Sequence, residues 1–454
     1  MVFYNQKNTK KESPGGNLIG ISTKILPLVY IMLLLAILTS CKKEKVVPPP
    51  VVEILAPAKN ETVLLPNEVN LHLRVSSEKN IKFIEVSFVN YDQVKLFDPR
   101  AYYFDSTFVE IDEKIDLDIL PQGFFSPYFI HVTVIGGAGT HTYFQEIKFL
   151  NPEVKFKGLY VSTRSSINRT QVYFYDPSLT ETLFASADGE YVASTTAEYK
   201  DRFYLITSNP SRLLAYAHDD KELVWEKTPE LPEPEFTTLR YTNFNLFTAT
   251  RNGRLKSYHP LTGNQDVVTS VLHDSIPLLL DATGDHILGE FLAKNTNSNS
   301  LVLFYRRTGT IVHKRPLNFS VAGIYVGKYG FNFVIFGNEN QTSLAGTYHP
   351  LGNFINDEKI IEEGLIAQVE RYSPDKFFLQ IGNGIYLYDY NSGVNKLIRA
   401  FPEEVTGFGF DPVHSILYVA FSQQVEAYSY PDNDLAAKFD VPYPIVGLDL
   451  MIGY

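Results

Sequence analysis

Cysteine is nearly missing from this chain: Cys41 stands alone in 454 residues. Disulfides within the chain are therefore excluded, and its stability has to come from packing. Tryptophan is as scarce, with Trp225 alone, and methionine occurs three times. No apolar run reaches the ~20 residues that a spanning helix needs. The longest, Ile25 to Leu38, stops at fourteen. Positive charge is short as well, with 40 Lys and Arg against 51 Asp and Glu and a formal net charge of −11. Nucleic acid, whose phosphates want a basic face, does not fit that balance as a partner. Helical periodicity is absent after the first forty positions.

Aromatic residues are what the chain has in plenty, 32 Phe and 29 Tyr. They sit in short apolar runs separated by Asn, Pro, Asp and Gly, which is the pattern of strands and turns. The fold class this predicts is all-β.

The first forty residues have the three parts of a secretory signal. Lys7, Lys10, Lys11 and Lys24 occupy a polar lead, the run Ile25 to Leu38 follows, and small Thr39 and Ser40 precede the cysteine. The sequence Leu38-Thr39-Ser40-Cys41 resembles the lipobox of bacterial lipoproteins. The resemblance implies that the chain is cut before Cys41, that its sulfur takes a diacylglycerol and its new amine an acyl group such as palmitate. Two or more chains hold a protein firmly to a bilayer, at ~0.8 kcal/mol per buried methylene. Lys42 follows the cysteine where an aspartate would imply inner-membrane retention, so the resemblance favours the outer membrane and leaves periplasmic side or cell surface open. Residues 41–50, with "KKEKVVPPP", read as an extended tether.

Two units follow. Residues 51–150 alternate as half-buried strands do. In "EVNLHLRV", Val69, Leu71 and Leu73 face one way and Asn70, His72 and Arg74 the other. The stretch "LPQGFFSPYFIHVTVIGGAGTHTYFQEIKF" resembles the late strands of bacterial Ig-like modules, implying a β-sandwich. Residues 153–454 repeat. Tyr175, Tyr216, Tyr258, Tyr305, Tyr348, Tyr388 and Tyr428 each close a short apolar strand before a turn, at spacings of 41, 42, 47, 43, 40 and 40. Three residues before each stands an apolar residue, from Val172 to Val425. A period of about 40–45 residues with four strands per unit predicts a β-propeller. These tyrosines are expected to pack blade against blade.

The chain ends on "PIVGLDLMIGY", whose Gly447 aligns with Gly323 and Gly407 in the first strands of two other repeats. No second strand follows it, while "KGLYVSTR" opens the repeats without a first strand. The last strand is expected to complete the first blade and close seven blades into a ring. The turns around "HDDKELVWEK" and "YHPLTGNQDVV" look like degenerate quinoprotein-like or WD40-like repeats, although only Trp225 keeps the tryptophan and the Gly-His and Trp-Asp signatures of WD40 repeats are absent. The likeness is architectural and implies no cofactor.

Chemistry-bearing patterns are few. His218, His259 and His349 follow blade tyrosines and are expected on separate, solvated turns, so no metal is expected. "LLLDATGDH" gathers Asp281, Asp285 and His286, a carboxylate–imidazole group able to do acid–base work or simply a strand-to-strand turn. The loops from one blade to the next hold Asp188, Glu190, Glu230, Glu233, Glu235, Asp274, Glu362, Glu363, Glu403 and Glu404. On one face of the disc this acidic rim would attract a cationic partner, or only keep the protein soluble. The reading with most support is a lipid-anchored binding or scaffold protein of the cell envelope, without catalysis, whose partner is an envelope protein or glycan. One alternative is a lactonase-like or lyase-like propeller enzyme acting on a sugar-derived substrate through Asp281, Asp285 and His286. Another makes the sandwich the binder.

Overall fold

The computed structural model describes residues 47–453 except 92, 94, 98, 118–119, 121–126, 198–199, 230–234 and 329. The signal, Cys41 and the start of the tether lie outside the described residues, as do Glu230 and Glu233 of the acidic rim. All regular elements among the described residues are strands.

The first unit is built from β1 (Val51–Ala56), β2 (Thr62–Leu64), β3 (Asn67–Asn90), β4 (Arg100–Leu117), β5 (Tyr128–Gly136) and β6 (Gly139–Leu150). The long β3 changes partners where its register breaks, between Ser76 and Ile81. Its first half pairs with β1 and the end of β4; its second half pairs with β5 and the start of β4. β6 continues the second layer, with β2 parallel along its edge. Leu71, Leu73 and Val75 from the first layer share one core with Ile84, Val132 and Val134 from the second. A two-layer sandwich results, dry between the layers. The expected alternation holds: Val69, Leu71 and Leu73 are buried, while Asn70 and Arg74 are exposed. On the wet face, His72 and Arg74 both meet the Glu110 carboxylate, at 2.7 and 3.0 Å.

The second unit is seven four-stranded antiparallel sheets. Six are made from consecutive strands. The seventh takes its inner strand from the far end of the chain: Ile445–Gly453 pairs with Lys155–Ser166, Ile445 facing Thr163 and Leu450 facing Leu159. That sheet is blade 1. The inner strands of blades 2 to 7 are Glu190–Ala197, Phe236–Thr242, Ser275–Ala282, Ser320–Val326, Ile366–Ser373 and Gly407–Asp411. Each lies beside the inner strand of the next blade, and Ile445–Gly453 lies beside both Gly407–Asp411 and Glu190–Ala197. The sheets thus form a propeller whose ring passes through the last strand.

Each blade is covered on both faces, so its middle strands are apolar at almost every position. Phe203 to Ile206 in blade 2 and Phe333 to Phe336 in blade 5 are buried in unbroken runs. The seven apolar residues three before the tyrosines, Val172 to Val425, are fully buried. Six of the tyrosines are buried too and touch the preceding blade: Tyr175 lies 4.4 Å from Phe439, and Tyr258 lies 6.3 Å from Trp225. Tyr305 departs from the expectation. Half its surface is exposed, and it stacks on His286 of its own blade at 5.3 Å.

Candidate functional site

An inner strand has no neighbour on its axial side, so its outward N–H and C=O groups need partners or water. Here side chains of adjacent blades supply several of them. Thr237 Oγ1 donates to Pro277 O (2.8 Å), and Asp281 Oδ2 accepts from Val326 N (3.0 Å). Tyr325 OH donates to Val369 O (2.5 Å), and Gln368 holds Phe408 by both its N–H and its C=O (3.1 and 2.8 Å). Thr196 Oγ1 donates to Leu450 O across the closing junction (2.8 Å). Behind the ring, buried Glu290 accepts from Val321 N at 2.8 Å. These bonds stitch consecutive blades around the axis.

Six of the seven inner strands carry a β-bulge near their start, just before Ala193, Thr238, Leu279, Gly323, Gln368 and Gly447. Gly407, in the unbulged strand of blade 7, aligns with these residues. A bulge resets register, so residues counted from it share a level around the axis. Two residues on, that level holds Thr195, Arg240, Asp281, Tyr325, Glu370, Gly409 and Asp449. Blades 3 to 6 thus form a polar arc.

Within the arc, Arg240 reaches from blade 3 across blade 4, with Nη2 3.9 Å from Asp281 Oδ2 and the guanidinium 4.8 Å from the Tyr325 ring centre. Arg371 of blade 6 approaches the same ring at 5.3 Å and donates to Val326 O. Burial disfavours the charge on both arginines. Asp281, Tyr325 and Glu370 outweigh that effect at Arg240 and hold its pKa above the ordinary value, whereas burial prevails at Arg371 and lowers it. Asp281 is almost wholly buried, and its carboxylate accepts from Ala282 N as well as Val326 N.

At the closing junction Asp449 accepts a short hydrogen bond from Ser194, which also bonds Tyr191 OH at 2.9 Å. By surface area Asp449 is only half-buried, because it faces the axis. Protein nevertheless crowds it closely enough for burial to push its carboxyl up to about 6.

The three residues singled out as a catalytic group part company. Asp281 belongs to the inner strand and is held by backbone N–H groups and Arg240. Asp285 and His286 sit on the turn after it, where Thr283 Oγ1 accepts from both their backbone N–H groups (3.3 and 3.0 Å). Among the described residues, no hydrogen bond or ion pair joins Asp281 to His286. The turn reading is the one the geometry favours.

The acidic rim is mixed in sign. Its described members, Asp188, Glu190, Glu235, Asp274, Glu362, Glu363, Glu403 and Glu404, lie at or beside the crossings between blades. The turns between second and third strands reach the same end of the disc and bring arginines. Arg251 pairs with Glu235 at 2.8 Å, and Arg212 donates to Asp188 O at 3.0 Å. Asp188, Asp274, Glu363, Glu403 and Glu404 are exposed. Among the described residues no group of His, Cys, Asp and Glu is placed to hold a metal ion.

His218 corrects another expectation. It is half-buried instead of solvated, with Nδ1 2.6 Å from Tyr160 OH and its ring 4.8 Å from Phe174, and burial lowers its pKa. His259 is exposed on its turn, and His349 stacks on Phe354 at 4.8 Å.

The polar arc was missed in the sequence because its members are separated by about one repeat each. The signal was present nonetheless. The row Gly323, Gly407, Gly447, read two positions further, gives Tyr325, Gly409 and Asp449.

No family model matches the chain, and no curated protein matches it either. Among solved structures, the computationally designed Ika8 protein is similar at 11% identity and a TM-score of 0.45, covering 64% of this chain and 89% of its own. Hydrazine synthase from Kuenenia stuttgartiensis is similar at 9% identity and a TM-score of 0.47, covering 63% of this chain and 97% of its own. At these values neither bears on function. The fold stands on the strand pairings themselves.

Proposed function

We propose that this is a lipid-anchored binding or scaffold protein of a bacterial outer membrane. Cys41 carries the acyl chains, the Ig-like sandwich is a spacer, and the propeller offers a face to another envelope protein or a glycan. One observation carries the preference for binding over turnover: the polar side chains at the axis are tied to backbone groups of neighbouring blades. A general acid or base has to be free to exchange its proton with a substrate. Asp281, the carboxylate best placed for that work, is instead occupied with two N–H groups. Exposed acids at the blade crossings, Glu403 and Glu404 among them, support a cationic patch on the partner.

The test is in-cell cross-linking followed by purification of the tagged chain, with Cys41→Ser in parallel. The expected result is one or a few envelope proteins, or a glycan, recovered reproducibly with the parent. The variant should lose both palmitate labelling and membrane fractionation. Recovery of nothing, together with turnover on a panel of lactones and glycans, would make the chain an enzyme.

A further inference from the structure

The arginines of the polar arc have more hydrogen-bonding capacity than the protein uses. A guanidinium offers five donors in a planar fork, and burying it without partners is costly. Arg240 Nε and Arg371 Nε are both buried with no partner among the described residues. The Asp281 carboxylate oxygen, 3.9 Å from Arg240 Nη2, is beyond hydrogen-bond reach and already accepts from Val326 N. About a third of the Arg240 side chain, 36%, is exposed. Two guanidinium groups, each with an unpartnered Nε, flank one tyrosine ring at 4.8 and 5.3 Å.

Further round the same level stand Gly409 of blade 7, Asp449 of blade 1 and Thr195 of blade 2. Gly409 leaves space that Leu448 and Leu450 occupy, since a Cβ there would lie 2.1 Å from Leu450 Cδ1. Both leucines are half-buried.

We propose that Arg240, Tyr325 and Arg371 form an anion site beside the axis that takes the carboxylate of a small organic ligand. The charge count selects the class. Two arginines face Asp281 and Glu370 within the arc, and Asp449 stands further round the same level, so the level has no excess positive charge to offer a dianion such as phosphate. A monoanionic carboxylate matches the planar fork and adds a single charge. The site stands apart from the envelope partner proposed above, because it lies beside the axis and requires nothing of the rim.

Isothermal titration of the detergent-solubilised full chain, at constant ionic strength, decides the matter with three probes: acetate, D-glucuronate and inorganic phosphate. Both carboxylates should bind saturably at one site per chain, more tightly than phosphate. Arg240→Gln and Arg371→Gln should each weaken binding about tenfold or more, the loss of a charge-assisted bond. Glu370→Gln, which removes a like charge, should tighten it. If the glutamine variants fail to fold, Arg240→Lys and Arg371→Lys keep the charge while losing the fork, and should still weaken binding. The inference is overturned by any of three results: no saturable heat from either carboxylate up to concentrations on the order of 10 mM, tighter binding of phosphate, or carboxylate affinities unmoved in the arginine variants. None of these results touches partner capture at the membrane.

Discussion

The sandwich and the propeller bury their apolar residues in different ways. The sandwich has one core, and that core is mostly aliphatic: Leu71, Leu73, Val75, Ile84, Ile130 and Val132 meet between two layers. The propeller divides its core among the interfaces between blades, and the bulkiest fully buried side chains among the described residues all lie there, from Tyr160 and Phe203 to Phe377 and Tyr388. Geometry explains the contrast. Two stacked sheets keep a nearly constant spacing, which Val, Ile and Leu fill well. Blades radiate from an axis, so the gap between them widens outward. Large rings fill the wide part, while glycine and hydrogen-bonding side chains occupy the narrow part. The sandwich can therefore stand by itself, whereas every blade depends on two neighbours and the ring depends on its junction.

Breaking that junction should have the largest effect. Ending the chain at Tyr443 removes the inner strand of blade 1 and exposes its partner Lys155–Ser166 as an edge. It also unseats Asp449 and Leu450 from blade 2. In calorimetry the parent is expected to show separate sandwich and propeller transitions, and the truncated chain only the sandwich one. A propeller transition surviving within a few degrees of the parent would mean that the ring does not need its last strand.

A smaller test sharpens the idea of a crowded axis. Gly323, Gly407 and Gly447 hold one aligned position in their strands, and the structure grades how far lack of space for a side chain explains them. A Cβ at Gly447 would stand 2.2 Å from Tyr191 OH, which is itself fixed by Ser194. At Gly323 the nearest atoms are 3.1 Å away. At Gly407 the nearest is 3.6 Å, ordinary contact, so crowding is not the reason for that glycine. Gly447→Ala should cost about 2–3 kcal/mol by denaturant unfolding, in the range of overpacked cores. Gly407→Ala should change stability by no more than about 0.5 kcal/mol. Equal costs would sink the claim that crowding is concentrated at the closing junction.

Much of this was legible before any coordinates. Tyrosine spacing and the apolar residue three positions earlier mark the third strand of every blade, because both positions are buried in nearly all seven. The orphan strand at each end of the repeat announces the shared blade. What escaped lies across repeats. Arg240 and Arg371 are 131 residues apart and meet only because two bulges put them at neighbouring levels on the axis. The exposure of Tyr305 also escaped. It ends the third strand as the others do, and only the stacking partner His286 on its own blade distinguishes it. Charge pairing on the rim was hidden likewise: Arg251 and Glu235 approach through the end they share, not through sequence.

The finest contrast between the two units is the sign of their response to pH. In the sandwich, hydrogen bonds from His72 and Arg74 hold the Glu110 carboxyl below its ordinary pKa, so its contribution is present above that value and fades on acidification. In the propeller, burial pushes Glu290 up from 4.5 to about 7. There the unfolded chain ionises first. Between those two values the folded chain holds a proton that the unfolded chain has lost, so stability from this residue declines as pH rises from 4.5 and levels off above about 7. Buried histidines such as His218, with lowered pKa, act oppositely and lose their contribution as pH falls through 6.5. A single substitution separates the two. Glu290→Gln keeps an acceptor for Val321 N–H and removes the ionisable group. Relative to the parent, it should stabilise the propeller transition by about 1–2 kcal/mol at pH 8 and leave it nearly unchanged at pH 4.5, with the sandwich transition unmoved at both. A difference independent of pH would show that the Glu290 carboxyl ionises over the same range folded and unfolded, so that burial does not keep it neutral.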